Sequence, residues 1–152
     1  MKNETFIQHT YSHSSITHLV STSNFAVHAI EHIFEGQVNR QGHAVGYHYE
    51  GIQNTSGETL PSSEQLLNEF GCYTAKVKVS GIEKTSNNGL SSFFPKSMSP
   101  QQVIDSINEA YNNCIIVPET INMYQGNSNN GLYITLFLNK NNKIISAFPT
   151  TT

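Results

Sequence analysis

The segment that decides the fold is SPQQVIDSINEAYNN, residues 99–113. Ser99 is a favourable N-cap, Pro100 suits the first helical position, and Gln102 stands where a capping-box partner is needed. The apolar residues that follow recur at helical spacing and are Val103, Ile104, Ile107, Ala110 and Tyr111. The pattern predicts an amphipathic helix from residue 100 to about residue 113, with one face buried.

Segments with the patterns of β-strands lie on both sides of this helix. Residues 73–79, YTAKVKV, alternate apolar and polar side chains, which is typical of a half-buried strand. After a turn at residues 85–89, residues 91–94, SSFF, predict a short strand. Residues 132–138 and 143–148 flank the turn NKNN and predict an antiparallel hairpin.

The segment upstream of these strands has weaker signals. Asn24 is a candidate N-cap for a helix that carries a broad apolar face and ends at Gly36. Residues 41–51, QGHAVGYHYEG, favour a strand or a bent hairpin, because glycines interrupt the β-favouring residues. Residues 53–68 indicate a loop, with a short turn of helix at residues 64–68.

These elements predict the fold class and the domain organisation. We expect an α+β fold in which an N-terminal helical segment is followed by antiparallel hairpins packed on a central helix, rather than a doubly wound parallel sheet. Residues 1–23 lack apolar periodicity and predict a loosely ordered N-terminal arm. Residues 24–152 predict the folded domain, either as one unit or as two small lobes at about residues 24–70 and 71–152.

The composition excludes several classes of protein. Only 12% of the 152 residues are charged, and the net charge is -3. No apolar run approaches the roughly 18–20 residues needed to cross a bilayer, and residues 1–10 lack the pattern of a signal peptide. We therefore expect a soluble chain without its own targeting signal. Cys72 and Cys114 lack the spacing of a disulfide framework or a zinc ribbon, so we interpret both as small apolar residues.

Charge is distributed unevenly along the chain. The residues before Phe70 include seven Glu, one Lys and one Arg, which gives a net charge of -5. From Phe70 onward there are six Lys and four acidic residues, which gives a net charge of +2. A general nucleic-acid binder would need a basic stripe, because phosphate contacts supply most sequence-independent affinity, and this sequence has none. Any nucleic acid is therefore expected to bind at a small local site. The lysine-bearing C-terminal half is expected to face it.

The histidines are the first candidates for chemistry, and all seven lie between His9 and His48. His32 and His48 suit acid–base catalysis, because unperturbed imidazole titrates near pH 6.5. His28 and His32, four residues apart on the predicted helix, could instead bind one metal ion in a hydrolase, although no nearby motif supplies the third ligand of a zinc site. A third interpretation is a non-catalytic binding module whose histidines act as a pH switch.

Four sequence blocks are more specific than these patterns. EHIFEG at residues 31–36 is followed by GHAVGYHYEG at 42–51, then by a lysine and SSFFPKSMSPQQVIDSINEA at 91–110, and finally by NKIISAFP at 142–149. In this order the blocks resemble the bacterial EndoU endoribonuclease domain. The resemblance covers most of residues 28–149.

The resemblance implies a reaction and a set of catalytic residues. In this family the ribose 2′-hydroxyl attacks the adjacent phosphate and leaves a 2′,3′-cyclic phosphate, without a metal or other cofactor. His48 matches the position of the base and His32 that of the acid. Lys84 matches the third catalytic residue, with Lys96 as the fallback, and His43 is an alternative to His48.

The resemblance also implies a substrate-binding pair and a biological role. Ser146 and Phe148 match the substrate-binding positions at the end of the last strand, where uridylate-specific relatives carry Tyr in place of Phe148. Bacterial relatives are C-terminal domains of contact-dependent or polymorphic toxins. We therefore expect an RNA substrate, tRNA in particular, and a cognate immunity protein that blocks the cleft. Delivery in a larger toxin to the cytoplasm of a target bacterium is expected, with no membrane partner.

Overall fold

The computed structural model describes residues 11–151. In this part of the chain the helices are α1 (Ser14–Thr17), α2 (Ala29–Glu35) and α3 (Pro100–Asn113). The strands are β1 (Gln37–Val38), β2 (Ala44–Val45), β3 (Gly57–Thr59), β4 (Gln65–Leu66), β5 (Tyr73–Val79), β6 (Ile82–Glu83), β7 (Leu90–Phe93), β8 (Ile115–Ile116), β9 (Met123–Asn127), β10 (Tyr133–Leu138) and β11 (Ile144–Pro149). Their sheets are antiparallel, so the fold is α+β, as the sequence predicted.

Helix α3 begins and ends where the sequence predicted. The Ser99 hydroxyl accepts a hydrogen bond from the Gln102 amide nitrogen at 3.2 Å, and Gln102 Oε1 accepts one from the Ser99 amide nitrogen at 2.7 Å. This capping box satisfies amide groups that would otherwise lack partners in the first turn. The fully buried residues of the helix are Val103, Ile104, Ile107 and Ala110.

Helix α3 packs against a four-stranded sheet with the order β11-β10-β9-β8. Strands β10 and β11 confirm the predicted hairpin. Strands β8 and β9 lie between the predicted helix and the predicted hairpin, where the sequence analysis placed no element. They escaped prediction because β8 has two residues and β9, MYQGN, does not alternate. Gly126 in β9 allows the close approach of α3, since a Cβ atom there would overlap the carbonyl oxygen of Ala110.

The second sheet is built around β5, which pairs with β3, β4, β6 and β7. Its side chains alternate between buried and more exposed, which confirms the period-two prediction. The loop predicted at residues 53–68 contains β3 and β4, and the turn of helix predicted at residues 64–68 is wrong. Strands of two or three residues carry no readable periodicity and form because β5 offers them a pairing edge.

Helix α2 is shorter than predicted at its N-terminus. It begins at Ala29, after His28 in a left-handed conformation with φ of 70°, and no side chain caps it. The prediction of Asn24 as the cap is wrong, because the helix begins only at Ala29; the Asn24 side chain donates a hydrogen bond to Asn108 at 3.1 Å. The helix ends at Gly36, as predicted.

The prediction of a strand or bent hairpin over residues 41–51 is only partly right, because β2 lies in that range, β1 precedes it, and residues 46–51 are not in a strand. Residue Gln37 pairs with Val45, and Val38 pairs with Ala44. The His43 side chain lies in the exposed turn between the strands, outside both of them.

The segment before α2 is more ordered than the sequence analysis predicted for an arm over residues 1–23. Residues 11–23 contain α1, whose Ile16 is buried in the core. Tyr11 forms an isolated bridge with Ile52. Residues 1–10 of the predicted arm lie outside the described residues, as does Thr152.

Two clusters of buried apolar side chains form the core. The larger gathers residues from α2, α3, β10 and β11, including Ile33, Phe34, Ile104, Leu136 and Ile144. The smaller contains Ala44, Tyr47, Tyr73, Ala75, Val77, Val79 and Phe93. Both clusters take residues from each side of position 70, so that position does not separate two cores. Tyr47 belongs to the smaller cluster and Tyr49 to the larger, which places His48 where the two meet.

The structure can be compared with two expectations drawn from the composition, one about the cysteines and one about membrane-spanning segments. Cys72 is buried and Cys114 half-buried, and both are free thiols. In the described part of the chain, no helix has the length and apolar character required to cross a membrane.

Candidate active site

A cleft of about 410 Å³ opens between α2, the turn after β6, β7 and β11. Five side chains that the sequence analysis singled out line this cleft: His32, His48, Lys84, Ser146 and Phe148. They come from four separate regions of the chain. The fold therefore gathers the predicted site into one place.

Backbone hydrogen bonds hold the two histidines next to each other. The last carbonyl groups of a helix lack partners within the helix. Here the amide nitrogen of Tyr47 donates to the His32 carbonyl oxygen at 2.8 Å, and that of His48 donates to the Ile33 carbonyl oxygen at 2.6 Å. The imidazole ring centroids lie 6.3 Å apart.

The residues before His48 adopt backbone conformations that this arrangement requires. Gly46 has φ of 79°, and a Cβ atom on it would overlap the His32 carbonyl oxygen and lie 3.0 Å from His32 Cγ. Tyr47 also has a positive φ, of 73°, which is strained for an aromatic residue. Packing compensates, because its ring lies edge-on to Phe93 and its carbonyl oxygen accepts a hydrogen bond from the Ser91 hydroxyl at 2.7 Å.

His48 is held as a neutral imidazole with one defined tautomer. Its Nδ1 lies 2.8 Å from the Ser92 carbonyl oxygen, which only accepts, so Nδ1 carries the hydrogen and Nε2 the lone pair. Burial is the largest cause that lowers the pKa of His48 to about 3; the nearby His32 and Lys84 add to it, and the hydrogen bond to Ser92 opposes it. The ring stacks on Phe148 with centroids 5.0 Å apart. At neutral pH this side chain can accept a proton.

His32 and Lys84 complete the polar part of the cleft. His32 Nδ1 lies 3.1 Å from Gln37 Oε1. Burial lowers the pKa of His32, the hydrogen bond to Gln37 partly opposes this, and Lys84 lowers the pKa further. Burial also lowers the pKa of Lys84. Among the described residues that line the cleft none is acidic, so the site favours an anion.

The other candidate residues lie elsewhere. Lys96 forms an ion pair with Glu64 at 2.8 Å and sits 4.9 Å from the centre of the Tyr73 ring, outside the cleft. It is therefore not the lysine that the fold brings to the histidines. His43, the alternative to His48, is exposed in the β1–β2 turn and does not line the cleft either.

The metal-binding pair proposed from the sequence does not form. His28 is exposed, and its Nδ1 lies 3.8 Å from Glu31 Oε1, whereas His32 faces Gln37 and the cleft. The left-handed backbone at His28 explains the divergence, because the regular i, i+4 alignment requires both residues to be helical. Within residues 11–151, no three His, Cys, Asp or Glu side chains are grouped to hold one ion.

Some residues of the site gave no signal in the sequence. Gln37, Ser91 and Ser92 hold the imidazole rings, and Phe137 lies 6.0 Å from Phe148 between ring centroids. Ser92 acts through its backbone carbonyl, which any residue would supply. Gln37 is an unremarkable polar residue until the fold places it beside His32.

Comparison with known proteins adds to this geometry. The sequence profile of the family described as "Bacterial EndoU nuclease" matches residues 26–151. The chain belongs to this family. As an EndoU nuclease domain it has the fold class and the nuclease character that the resemblance implied. No solved structure matches the chain.

The EndoU domain is also similar to a curated protein of Bacillus cereus named "Toxin". The two are 46% identical over 134 residues, which cover 88% of this chain and 24% of the relative. The chain thus spans about a quarter of the length of that protein.

Proposed function

We propose that this EndoU domain is an endoribonuclease that cleaves RNA by transphosphorylation. The observation that carries the proposal is the convergence of His32, His48 and Lys84 in one cleft without a carboxylate among its described lining residues. The ribose 2′-hydroxyl attacks its own 3′-phosphate and the 5′-oxygen leaves. The products are a 2′,3′-cyclic phosphate and a free 5′-hydroxyl. This chemistry needs a base, an acid and a cation, and the cleft holds one side chain for each without requiring a metal.

The two histidines have environments that suit opposite roles. His48 is 5% exposed, and its lowered pKa keeps the ring neutral, so the lone pair on Nε2 is available to accept the 2′ proton. His32 is less buried. A bound phosphate offsets the charge of Lys84 and favours the imidazolium of His32, which then protonates the 5′-oxygen. Lys84 stabilises the additional negative charge on the five-coordinate phosphorus.

Ser146 and Phe148 are proposed to bind the substrate. Phe148 presents an aromatic ring to the cleft next to His48, and bases stack on such rings whatever their sequence. Ser146 supplies a hydroxyl that can donate to a phosphate or base oxygen. With Phe148 in place of Tyr, the phenolic hydroxyl of uridylate-specific relatives is missing, so we propose weak preference for uridine.

The name of the relative supports a toxin. We propose that the domain is the nuclease part of a larger toxin that is delivered into the cytoplasm of a target bacterium, where it cuts RNA, tRNA in particular. A cognate immunity protein would then bind over the cleft. Co-expression with a neighbouring open reading frame tests this: restored growth of the host and loss of nuclease activity in the complex are expected.

The reaction is tested with purified protein, tRNA and a short RNA that has one cleavage site. Cleavage in the presence of EDTA with 2′,3′-cyclic phosphate ends is expected, and a 2′-deoxy substitution at the scissile nucleotide should prevent it. His32→Ala, His48→Asn and Lys84→Met should each reduce kcat roughly 10²–10⁴-fold. His43→Asn and Lys96→Met are the matched controls and should cleave like the wild type.

Other outcomes would favour the alternatives. Products with 3′-hydroxyl ends, or loss of cleavage with EDTA and its return with zinc, would support a metal-dependent hydrolase. RNA or protein binding that varies with pH, without turnover, would support a binding module. Full activity of both His32→Ala and His48→Asn would refute the catalytic assignment.

A further inference from the structure

The side-chain amide of Gln37 defines the protonation of one nitrogen of His32. Gln37 opens β1, directly after the Gly36 that ends α2, and its Oε1 lies 3.1 Å from His32 Nδ1. An amide oxygen only accepts hydrogen bonds, so the imidazole must donate. His32 Nδ1 therefore carries a hydrogen, which leaves Nε2 as the nitrogen that can gain or lose a proton.

The His32 ring is also fixed from its other side. A Cβ atom on Gly46 would lie 3.0 Å from His32 Cγ and 3.1 Å from Cδ2, so the glycine backbone packs directly against the ring. Gln37 is itself held in place by the pairing of β1 with β2, in which it is opposite Val45, a residue of the cleft wall. The ring is thus confined between the Gly46 backbone and the Gln37 amide.

We propose that Gln37 is a positioning residue of the nuclease site, one that holds His32 with Nδ1 protonated so that Nε2 exchanges the proton with RNA. This inference rests on the function proposed above and deepens it. The groups proposed above for that reaction are His32, His48 and Lys84, and Gln37 acts only through the first of them.

The charges around His32 explain why an amide rather than a carboxylate matters here. The titratable groups that face the ring are His48, at 6.3 Å between centroids, and Lys84, which disfavours the imidazolium. On its own helix, Glu31 lies beside His28 and Glu35 Oε2 is 2.8 Å from His13 Nδ1. Gln37 therefore orients the ring without adding the negative charge that would keep His32 permanently protonated.

The test replaces the amide with a carboxylate of the same shape. In Gln37→Glu, the pKa of His32 should rise by about 1 to 3 pH units. The alkaline limb of the kcat–pH profile, which reports the acid, should move upward by the same amount. Gln41→Glu is the matched control, because it adds the same charge in the exposed β1–β2 turn, and it should leave the pKa and the profile unchanged.

A second variant removes the acceptor without adding charge. Gln37→Met keeps the length of the side chain, so the protein should fold while the two neutral tautomers of His32 mix. We expect kcat to fall roughly 10- to 100-fold, the range for loss of a charge-assisted hydrogen bond, with little change in KM. Nitrogen-15 NMR of the imidazole rings measures tautomer and pKa directly, without RNA.

The two readouts separate the possible failures. If the NMR changes occur as expected but the wild type cleaves no RNA, the nuclease proposal fails and the orientation by Gln37 stands. If the wild type cleaves RNA while Gln37→Glu behaves like Gln41→Glu in both measurements, the positioning role is overturned. Should Gln37→Glu not fold, a single Nδ1-protonated tautomer and full kcat in Gln37→Met would overturn it equally.

Discussion

Burial of neutral His48 predicts that the protein loses stability in mild acid. The pKa of histidine is near 6.5 in an unfolded chain, whereas burial lowers that of His48 to about 3 in the folded protein. Between these two values the unfolded state binds more protons than the folded state. The contribution of His48 to the free energy of unfolding therefore rises with pH across this window. It becomes progressively more unfavourable as the pH falls below about 6.5.

The size of the effect follows from the same two values. At about pH 5, roughly 1.5 units below the unfolded pKa, protonation favours the unfolded chain by about 2 kcal/mol for this one residue. The folded ring is still essentially unprotonated at that pH, so the result depends almost entirely on the unfolded value. At about pH 7.5 the same contribution is close to zero.

Urea denaturation at about pH 7.5 and about pH 5 measures this contribution as a difference between variants. His48→Asn keeps a donor for the Ser92 carbonyl oxygen and removes the titrating group. The wild type should lose about 2 kcal/mol more than His48→Asn on acidification, whatever the absolute stability of the variant. His43→Asn, in an exposed turn, should lose as much as the wild type.

The buffer must not supply the anion that the cleft favours. Phosphate bound near Lys84 would support the charged form of the histidines and reduce the difference. Cationic amine buffers at both pH values and at matched ionic strength avoid this. Equal losses in the wild type and in His48→Asn would refute the reasoning, because His48 would then be accessible to protons in the folded state.

Three further predictions concern stability. Gly46→Ala should lower the free energy of unfolding and abolish RNA cleavage, because its Cβ would displace His32, whereas Gly42→Ala, also at positive φ but with open space around it, should lose only about 1–2 kcal/mol in urea denaturation. Ser99→Ala should lose about 0.5–2 kcal/mol through the helix cap, with kcat unchanged. Ile134→Ala in the core should cost about 2–5 kcal/mol, and a change under 1 kcal/mol would contradict the packing described.

Elements with strong local patterns could be predicted from the sequence. Helix α3 carries its own cap and a complete apolar face, and β5 alternates over seven residues, so both appear where expected. Strands β3, β4 and β8 have two or three residues each and exist because a neighbouring strand supplies the hydrogen bonds. Helix α2 starts later than expected because His28, directly before it, adopts a left-handed backbone conformation that the helix cannot include.

The residues of the site divide in the same way, into those that the sequence predicted and those that only the structure identified. The motifs around His32, His48 and the end of β11 could be found in the sequence because they are contiguous blocks that resemble a family. Two candidate lysines remained, since each lies in a segment close to the SSFF block. Only the tertiary structure distinguishes them: Lys84 lines the cleft with the histidines, and Lys96 is paired with Glu64.

The sequence by itself determined the fold class, the central helix, the principal hairpin and the two histidines in the blocks that resemble the EndoU family. The tertiary structure alone decided which groups surround those histidines and that burial lowers their pKa values. The physical reason is that capping and periodicity depend on residues within one or two turns. Burial and charge depend on neighbours such as Ser92 and Lys84, which lie dozens of residues away along the chain.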